Sequence, residues 1–303
     1  MNIVICCNDN YMIPARTLID SIAAHNKDVV LWLIYDNVSE ENLAALKHQT
    51  DEYHWKFNPV RIPDRVLSLV SNLPCHSCLT KETYYRLFIP WIVPDCERAL
   101  YLDCDMLVRG SLEELYLSDL GMNLVGAVPD VSIIVRKENA ERLKLKGDYY
   151  NAGMLLLQLG LIRKQMTEEE MLDQIRMISE KFKLVCLDQD IINIIYEDNI
   201  QEIDGKYNYY ATIDIILILK NRKHNEVRDA VITHFVGDDK PWKKEYCRCF
   251  LTEYWKYLKK YMTKKQQREY WMYKPCAYFK YYKTKLQSLT SYYARIAFNL
   301  RKD

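Results

Sequence analysis

The chain has 303 residues, 49% of them hydrophobic and 27% charged, with a net charge of +1. That length accommodates one large domain, or a domain with an appendage, around a sizeable core. No stretch approaches the ~20 uninterrupted apolar residues of a membrane-spanning helix. The opening residues have no basic leader and too short an apolar run for a signal peptide, so the expected location is the cytoplasm.

The elements are expected in the following order. Residues 3–7 form a short apolar, β-rich run that reads as a first strand. Pro14 suits the first turn of a helix, in which Leu18, Ile19 and Ile22 share one buried face. Residues 29–35 read as a second strand. Ser39 can cap the next helix, with Glu40 and Glu41 favoured in its first turn by the helix dipole. A third strand is expected at 57–62, a helix at 83–92 that the prolines at 90 and 94 interrupt, and a strand at 99–102 that runs into Asp103. Further strands are expected at 125–128, 154–159 and 230–235, with helices at 167–181 and 188–196. Alternating strands and helices with short connections imply an α/β fold, with a mostly parallel central sheet covered by helices on both faces. Ligands of such sheets bind beyond the carboxyl ends of the strands, where Asn8, Asn10 and Asp103 fall.

After Trp242 the character changes, and Tyr, Trp and Lys interleave. Residues 243–303 hold 16 Lys/Arg against 4 Asp/Glu, whereas residues 1–242 hold 26 against 37. An acidic body at 1–242 therefore carries a basic, aromatic extension at 243–303. Two readings of that extension stand side by side: its rings pack as helices, or they sit at headgroup depth on an anionic membrane surface.

The 10 cysteines mostly lie in apolar runs, as Cys6, Cys7 and Cys186 do, and read as free, small hydrophobes. Cys75-His76-Ser77-Cys78 and Cys247-Arg248-Cys249 could in principle join as a zinc site, but the second spacing is too tight for a usual knuckle.

Tyr101-Leu102-Asp103-Cys104-Asp105-Met106 is the most informative stretch. Two carboxylates one residue apart, just past a buried strand, face the same side if the chain is extended. Like charges that close repel unless a hard divalent cation lies between them. Oxygen ligands suit manganese or magnesium, and an added imidazole tilts the choice toward manganese. Three further stretches accompany the pair. Thr233-His234-Phe235-Val236-Gly237-Asp238-Asp239-Lys240 offers an imidazole at a strand end, a glycine for close phosphate approach and a lysine for a diphosphate. Tyr149-Tyr150-Asn151-Ala152-Gly153 presents an amide and small residues suited to sugar hydroxyls. Leu187-Asp188-Gln189-Asp190 is an acid–amide–acid run at a helix start, where Asp188 also suits an N-cap.

In their order and spacing these motifs resemble glycosyltransferase family eight, the bacterial α-galactosyl- and α-glucosyltransferases of lipopolysaccharide and other cell-surface glycan synthesis. The resemblance runs from Ile3 to about Trp242. It implies the GT-A nucleotide-sugar-binding fold for 1–242, with Asp103, Asp105 and His234 as metal ligands. It also implies a UDP-sugar held by Cys6, Asn8, Asn10 and Tyr11 of the first loop, by Arg86, and by Asp103 and Cys104. Asp130, Asn151, Ala152, Asp188 and Gln189 match donor-sugar contacts, and Gly237 and Lys240 match the diphosphate clamp. The chain departs from the family where Asn8 replaces an aspartate and where Cys104 stands between the two metal aspartates.

The activity implied is manganese-dependent, retaining transfer of a hexose, from UDP-galactose or UDP-glucose, to a sugar hydroxyl of a glycan or glycolipid. The metal would act as a Lewis acid on the departing UDP. In a front-face route the leaving phosphate oxygen takes the acceptor's proton and Gln189 stabilises the oxocarbenium-like centre. The rival route needs a nucleophile beneath the sugar, for which Gln189, Asp188 and Asp190 are the candidates. Two other classes compete: a haloacid-dehalogenase-like phosphatase using Asp103 and Asp105, and a non-enzymatic nucleic-acid or membrane binder acting through the basic tail. The acidic body argues against nucleic acid.

Overall fold

A computed structural model of the chain describes residues 1–75, 80–93, 96–130, 133–211, 229–247, 250–279 and 283. They fall into two compact units that divide between His234 and Phe235.

The first unit begins with β1 (Asn2–Cys6), α1 (Met12–Ala23), β2 (Val30–Tyr35), α2 (Glu40–Glu52), β3 (Lys56–Arg61) and α3 (Asp64–Val70). The cap expected of Ser39 is present, its side chain accepting from the Asn42 amide. The helix expected at 83–92 is instead a 3-10 helix (Lys81–Phe88) that passes into one turn of α4 (Ile89–Ile92), with Pro90 in the turn's first positions, where a missing N–H costs nothing. There follow β4 (Ala99–Leu102), β5 (Met106–Val108), α5 (Glu113–Tyr116), β6 (Val125–Pro129), α6 (Ile133–Leu143) and β7 (Tyr150–Leu157). Then come α7 (Leu159–Gln165), α8 (Glu168–Lys181), α9 (Asp188–Ile195), β8 (Ile200–Glu202), β9 (Tyr209–Tyr210) and β10 (Ile232–His234). Helix α8 starts in a full capping box, Thr167 bonding the Glu170 amide and Glu170 reaching back to Thr167. The short pairing strands β5, β8 and β9, and the helices α3, α5, α6 and α7, have no counterpart in the sequence expectations.

The main sheet has the order β3-β2-β1-β4-β7-β6-β8, and a small second sheet has the order β5-β10-β9. Within the main sheet the pairings are parallel except around β7, which runs antiparallel to both β4 and β6. The alternation of β1 and β4 splits the core between the two faces. Val4 and Tyr101 join one cluster with Ile34, Leu155 and residues of α3, α8 and α9. Ile3, Ile5, Leu100 and Leu102 join the other with Met154, Leu156 and residues of α1. Each such side chain, fully buried, contributes about 1.5–3 kcal/mol of transfer free energy.

In the second unit, α10 (Leu251–Leu258) is followed by helical backbone over 264–279. Trp255 stacks on Tyr270 at 4.8 Å and meets Trp271 edge-on at 5.2 Å. The buried Lys274 ammonium lies 3.8 Å over the Tyr270 ring and donates to the carbonyls of Lys244 and Tyr246. Burial pushes its pKa down to about 8. Part of the aromatic tail therefore packs. Among the described residues, no helix is long and apolar enough to cross a membrane.

Candidate active site and metal centre

Strand β4 is buried along its whole length and delivers Asp103 to the carboxyl edge of the sheet. The Asp103 amide donates to the Gly153 carbonyl at 2.8 Å, so the pair sits beside the start of β7. Cys104 and Asp105 form a turn between β4 and β5, a correction to the extended chain expected there. The turn sends Cys104 into the core, where its thiol donates to the Cys6 carbonyl at 3.6 Å.

Strand β10 runs antiparallel to β5 with His234 opposite Met106, which brings the imidazole to the turn. His234 Nε2 lies 3.2 Å from Asp105 Oδ1 and 3.8 Å from Asp103 Oδ2. One ligand atom from each of the three residues lies within 4.8 Å of the others. An octahedral cation with donors at about 2.1 Å would place cis donors about 3 Å and trans donors about 4.2 Å apart. Two carboxylates and one imidazole at this spacing therefore fit a divalent cation of the manganese or magnesium type.

Gly153 has a role the sequence did not reveal. A Cβ there would meet His234 Cε1 at 2.3 Å and Nδ1 at 2.9 Å. Gly153→Ala is therefore expected to push the imidazole off the carboxylates and cost about 1–3 kcal/mol by overpacking. Thermal unfolding without metal and a manganese titration check this: a variant that melts and binds manganese like the parent refutes the packing argument.

Arg86 is buried between two carboxylates. Its Nη2 lies 2.9 Å from Asp103 Oδ1 and its Nε 3.0 Å from Asp188 Oδ2. It also donates to the Ala152 carbonyl at 2.6 Å and the Thr83 carbonyl at 2.9 Å, and its guanidinium covers the Tyr101 ring at 4.6 Å. Tyr101 donates its hydroxyl to Asp103 at 2.5 Å, and the Thr83 hydroxyl donates to Asp188. The Cys6 thiol lies in the same charge field, and burial, opposed by Arg86, raises its pKa well above its ordinary value.

Burial pushes the Asp188 carboxyl up to about 6, against the pull of Arg86 and the Thr83 hydroxyl. An acid with a raised folded pKa holds its proton more tightly in the native state. Its contribution to stability is therefore present below about pH 4 and lost as the pH rises to about 6. The ionised form pairs with Arg86 and accepts from hydroxyl groups, so donor turnover should rise with pH through about 6, a limb that Asp188→Asn should lack. A kcat/KM profile from pH 5 to 8 checks this.

Helix α9 presents the next two residues differently. Gln189 Oε1 accepts from Asn151 Nδ2 at 2.8 Å and from the Ala152 amide at 3.1 Å, while its Nε2 donates to Asp130 Oδ2 at 3.2 Å. Asp190 is 0% exposed. One of its oxygens accepts from Arg142 and the Tyr149 hydroxyl, the other from the Val185 and Cys186 amides. Four donors on a wholly buried carboxylate make it an anchor for the start of α9, which corrects its place among the candidate nucleophiles.

The structure thus gathers Cys6, Arg86, Asp103, Asp105, Asp130, Asn151, Ala152, Asp188, Gln189 and His234. Asn8, Asn10 and Tyr11 lie on the turn after β1, where Asn8 Oδ1 accepts from the Asn10 amide. Gly237, at φ +85°, and Lys240, which donates to the Phe235 carbonyl at 2.8 Å, belong to the second unit. Of the suggested zinc ligands, His76, Cys78 and Cys249 lie outside the described residues. Sequence reasoning missed Thr83, Tyr101 and Asn208. The last had one signal, an amide set in the aromatic run Tyr207-Asn208-Tyr209-Tyr210.

The sequence model "Glycosyl transferase family 8" matches residues 2–246. The chain belongs to glycosyl transferase family 8. It is 29% identical over 255 residues to glycosyltransferase GlyF of Streptococcus pneumoniae serotype 4, covering 84% of this chain and 60% of GlyF. It is 28% identical over 275 residues to general stress protein A of Bacillus subtilis, covering 85% of this chain and 93% of that protein. It is 29% identical to the lipopolysaccharide 1,2-glucosyltransferase of Escherichia coli, with 78% and 71% covered. A crystal structure of the galactosyltransferase LgtC with donor and acceptor sugar analogues superposes with a TM-score of 0.74 at 22% identity, covering 89% of this family 8 chain and all of LgtC. At that identity the likeness establishes the fold, which is GT-A. The phosphatase and binding-protein readings fall with the family assignment.

Proposed function

We propose that this family 8 glycosyltransferase moves a hexose from a UDP-sugar, UDP-galactose or UDP-glucose, to a sugar hydroxyl of a cell-surface glycan or glycolipid, with retention and with manganese as the working metal. The observation that carries the reading is the Asp103–Asp105–His234 cluster at the carboxyl edge of the sheet, next to the Arg86–Asp188 pair and the Asn151–Gln189–Asp130 amides. The names of the Escherichia coli glucosyltransferase and the galactosyltransferase LgtC support a hexose donor.

A bound divalent cation would supply Lewis-acid stabilisation of the charge that develops on the leaving diphosphate. The chain's own groups do the rest. Arg86 holds Asp103 and Asp188 apart at fixed positions. Asp188 and Asn151 offer acceptors and donors to the sugar hydroxyls. Gly237 and Lys240 are assigned to the diphosphate, and Asn8, Asn10 and Tyr11 to the nucleoside. Front-face transfer is favoured because the groups considered as nucleophiles are committed elsewhere. Both lone pairs of Gln189 Oε1 are taken, Asp190 accepts four hydrogen bonds, and Asp188 faces Arg86 and Thr83. Gln189 then acts as a dipole against the oxocarbenium-like centre.

UDP release from a panel of UDP-sugars with manganese, with magnesium and with EDTA tests the reading. Manganese-dependent release from one sugar, lost in EDTA, supports it. Release from no donor, with no donor-induced thermal shift, overturns it.

We further propose that the protein is cytoplasmic and that residues 243–303 hold it against an anionic membrane surface. On the helix over 264–279, Tyr270, Lys274 and Ala277 are buried, while Met272 and Phe279 are 79% and 73% exposed, and Lys264, Lys265 and Arg268 are exposed on the same helix. Each basic residue near such a surface contributes on the order of 1 kcal/mol. Met272→Glu/Phe279→Glu should lose cosedimentation with anionic vesicles and keep UDP release, and equal pelleting of variant and parent would refute the contact.

A further inference from the structure

Beyond the ligands themselves, a line of amides runs from His234 to Asp130, and two peptide groups settle its direction. A backbone N–H can only donate. The Gly153 amide lies 2.9 Å from one end of the Asn151 side chain, which must therefore be its oxygen. Asn208 meets that same oxygen at 2.7 Å and must present its Nδ2 there. The Asn208 oxygen is thereby turned to His234 Nδ1, 2.9 Å away. Facing an oxygen with no proton to give, Nδ1 of the neutral ring must carry the hydrogen, and Nε2 must carry the lone pair. The other end of the line agrees. The Ala152 amide donates to Gln189 Oε1, so Asn151 must donate there too, and Gln189 is left to donate to the Asp130 carboxylate.

This arrangement opposes what the metal carboxylates would choose. Asp105 and Asp103 stand 3.2 and 3.8 Å from Nε2, and without metal they favour a proton on that nitrogen. A proton there blocks the ligand position, because a metal takes the neutral nitrogen's lone pair. Asn208 is 1% exposed and sits on the opposite side of the ring.

We infer that Asn208 is a positioning residue that holds His234 as its Nδ1–H tautomer, with Nε2 bare toward Asp103 and Asp105, and that through Asn151 it sets the side-chain orientation of Gln189 as well. The inference rests on reading those three residues as the metal site, and it concerns a residue that touches neither metal nor sugar. Asn208→Ala removes both the acceptor for Nδ1 and the donor to Asn151. Asn208→Asp keeps the acceptor and loses the donor, so it separates the two jobs.

The decisive measurement is a two-bond proton–nitrogen spectrum of metal-free protein labelled at its 6 histidines, followed through a pH titration, with His234→Gln assigning the signal. The neutral form of His234 is expected to give the Nδ1–H pattern in the parent and in Asn208→Ala to move toward Nε2–H. Manganese titrated without donor should bind Asn208→Ala about 10–100-fold more weakly. It should bind Asn208→Asp within a few-fold of the parent, with the loss in that variant appearing in donor turnover instead. An Nε2–H pattern in the neutral parent overturns the inference without any substitution. So does an Asn208→Ala protein with parental tautomer and parental manganese affinity. If Asn208→Ala fails to fold, the parent spectrum and Asn208→Asp still decide. A parent that binds no manganese overturns the metal reading, while the tautomer still tests the hydrogen-bond argument.

Discussion

Asp105→Asn is expected to lower metal-dependent UDP release by roughly three orders of magnitude while leaving the metal-free protein as stable as the parent, or slightly more so. Lewis-acid stabilisation of a leaving diphosphate is worth several kcal/mol, and each 1.36 kcal/mol is a factor of ten in rate. The amide keeps the volume of the carboxylate but not its charge, so the variant should still fold around the same turn. In the metal-free state Asp105 is an anion close to a second anion, Asp103, and both lie near His234 Nε2. Removing one charge relieves that repulsion. The two effects therefore have opposite signs. The manganese-induced rise in Tm should vanish, and the metal-free Tm should hold or rise. A variant that keeps a parental manganese shift and parental UDP release would remove Asp105 from the metal site.

Arg86→Met is expected to be the most damaging single change to stability in the first unit. The guanidinium bridges Asp103 and Asp188 at 2.9 and 3.0 Å and donates to the carbonyls of Thr83 and Ala152. Arg86 and Asp188 are 7% and 3% exposed, so water cannot replace what is lost. Breaking a buried pair by removing one partner costs about 3–5 kcal/mol. At about 2–4 °C per kcal/mol for a unit of this size, that is a fall on the order of 10 °C in Tm. Arg86→Lys should recover only part of the loss, since one ammonium cannot reach two carboxylates and two carbonyls. Adding Asp188→Asn to Arg86→Met should also recover part, because it removes the stranded charge. A double variant that melts at the sum of the two single losses would refute the ion-pair account.

Much of this was legible in the chain itself, for identifiable reasons. β1 and β2 announce themselves as short, β-rich apolar runs, and Ser39 behaves as a cap because its chemistry acts within one turn. The paired aspartates were legible as a candidate metal site because two carboxylates so close in sequence stay close in any fold. The opposite held for residues whose partners are distant. The 3-10 form of Lys81–Phe88 serves packing that its local propensities do not encode: six of its eight residues are buried, among them Arg86 with its two carboxylate partners. Asp190 carries the same charge as Asp188, and only the four donors around it mark it as an anchor.

The sequence by itself determined the class of element and the acidic pair through local periodicity and spacing, and the resemblance of its motifs to a family pointed to the histidine that could join them. The tertiary structure decided how they meet. Because β7 runs against β4, with Leu102 opposite Met154, its first residues lie at the carboxyl end of β4 and bring Asn151, Ala152 and Gly153 to Asp103. Because β10 runs against β5, His234 returns to the turn that holds Asp105. Strand direction is set by long-range pairing and by burial on both faces of the sheet, and neither is written in a strand's own residues. The same holds for Gly153 and Asn208: one leaves room for an imidazole, the other offers a hydrogen-bond acceptor to it, and both roles exist only once the strands have paired.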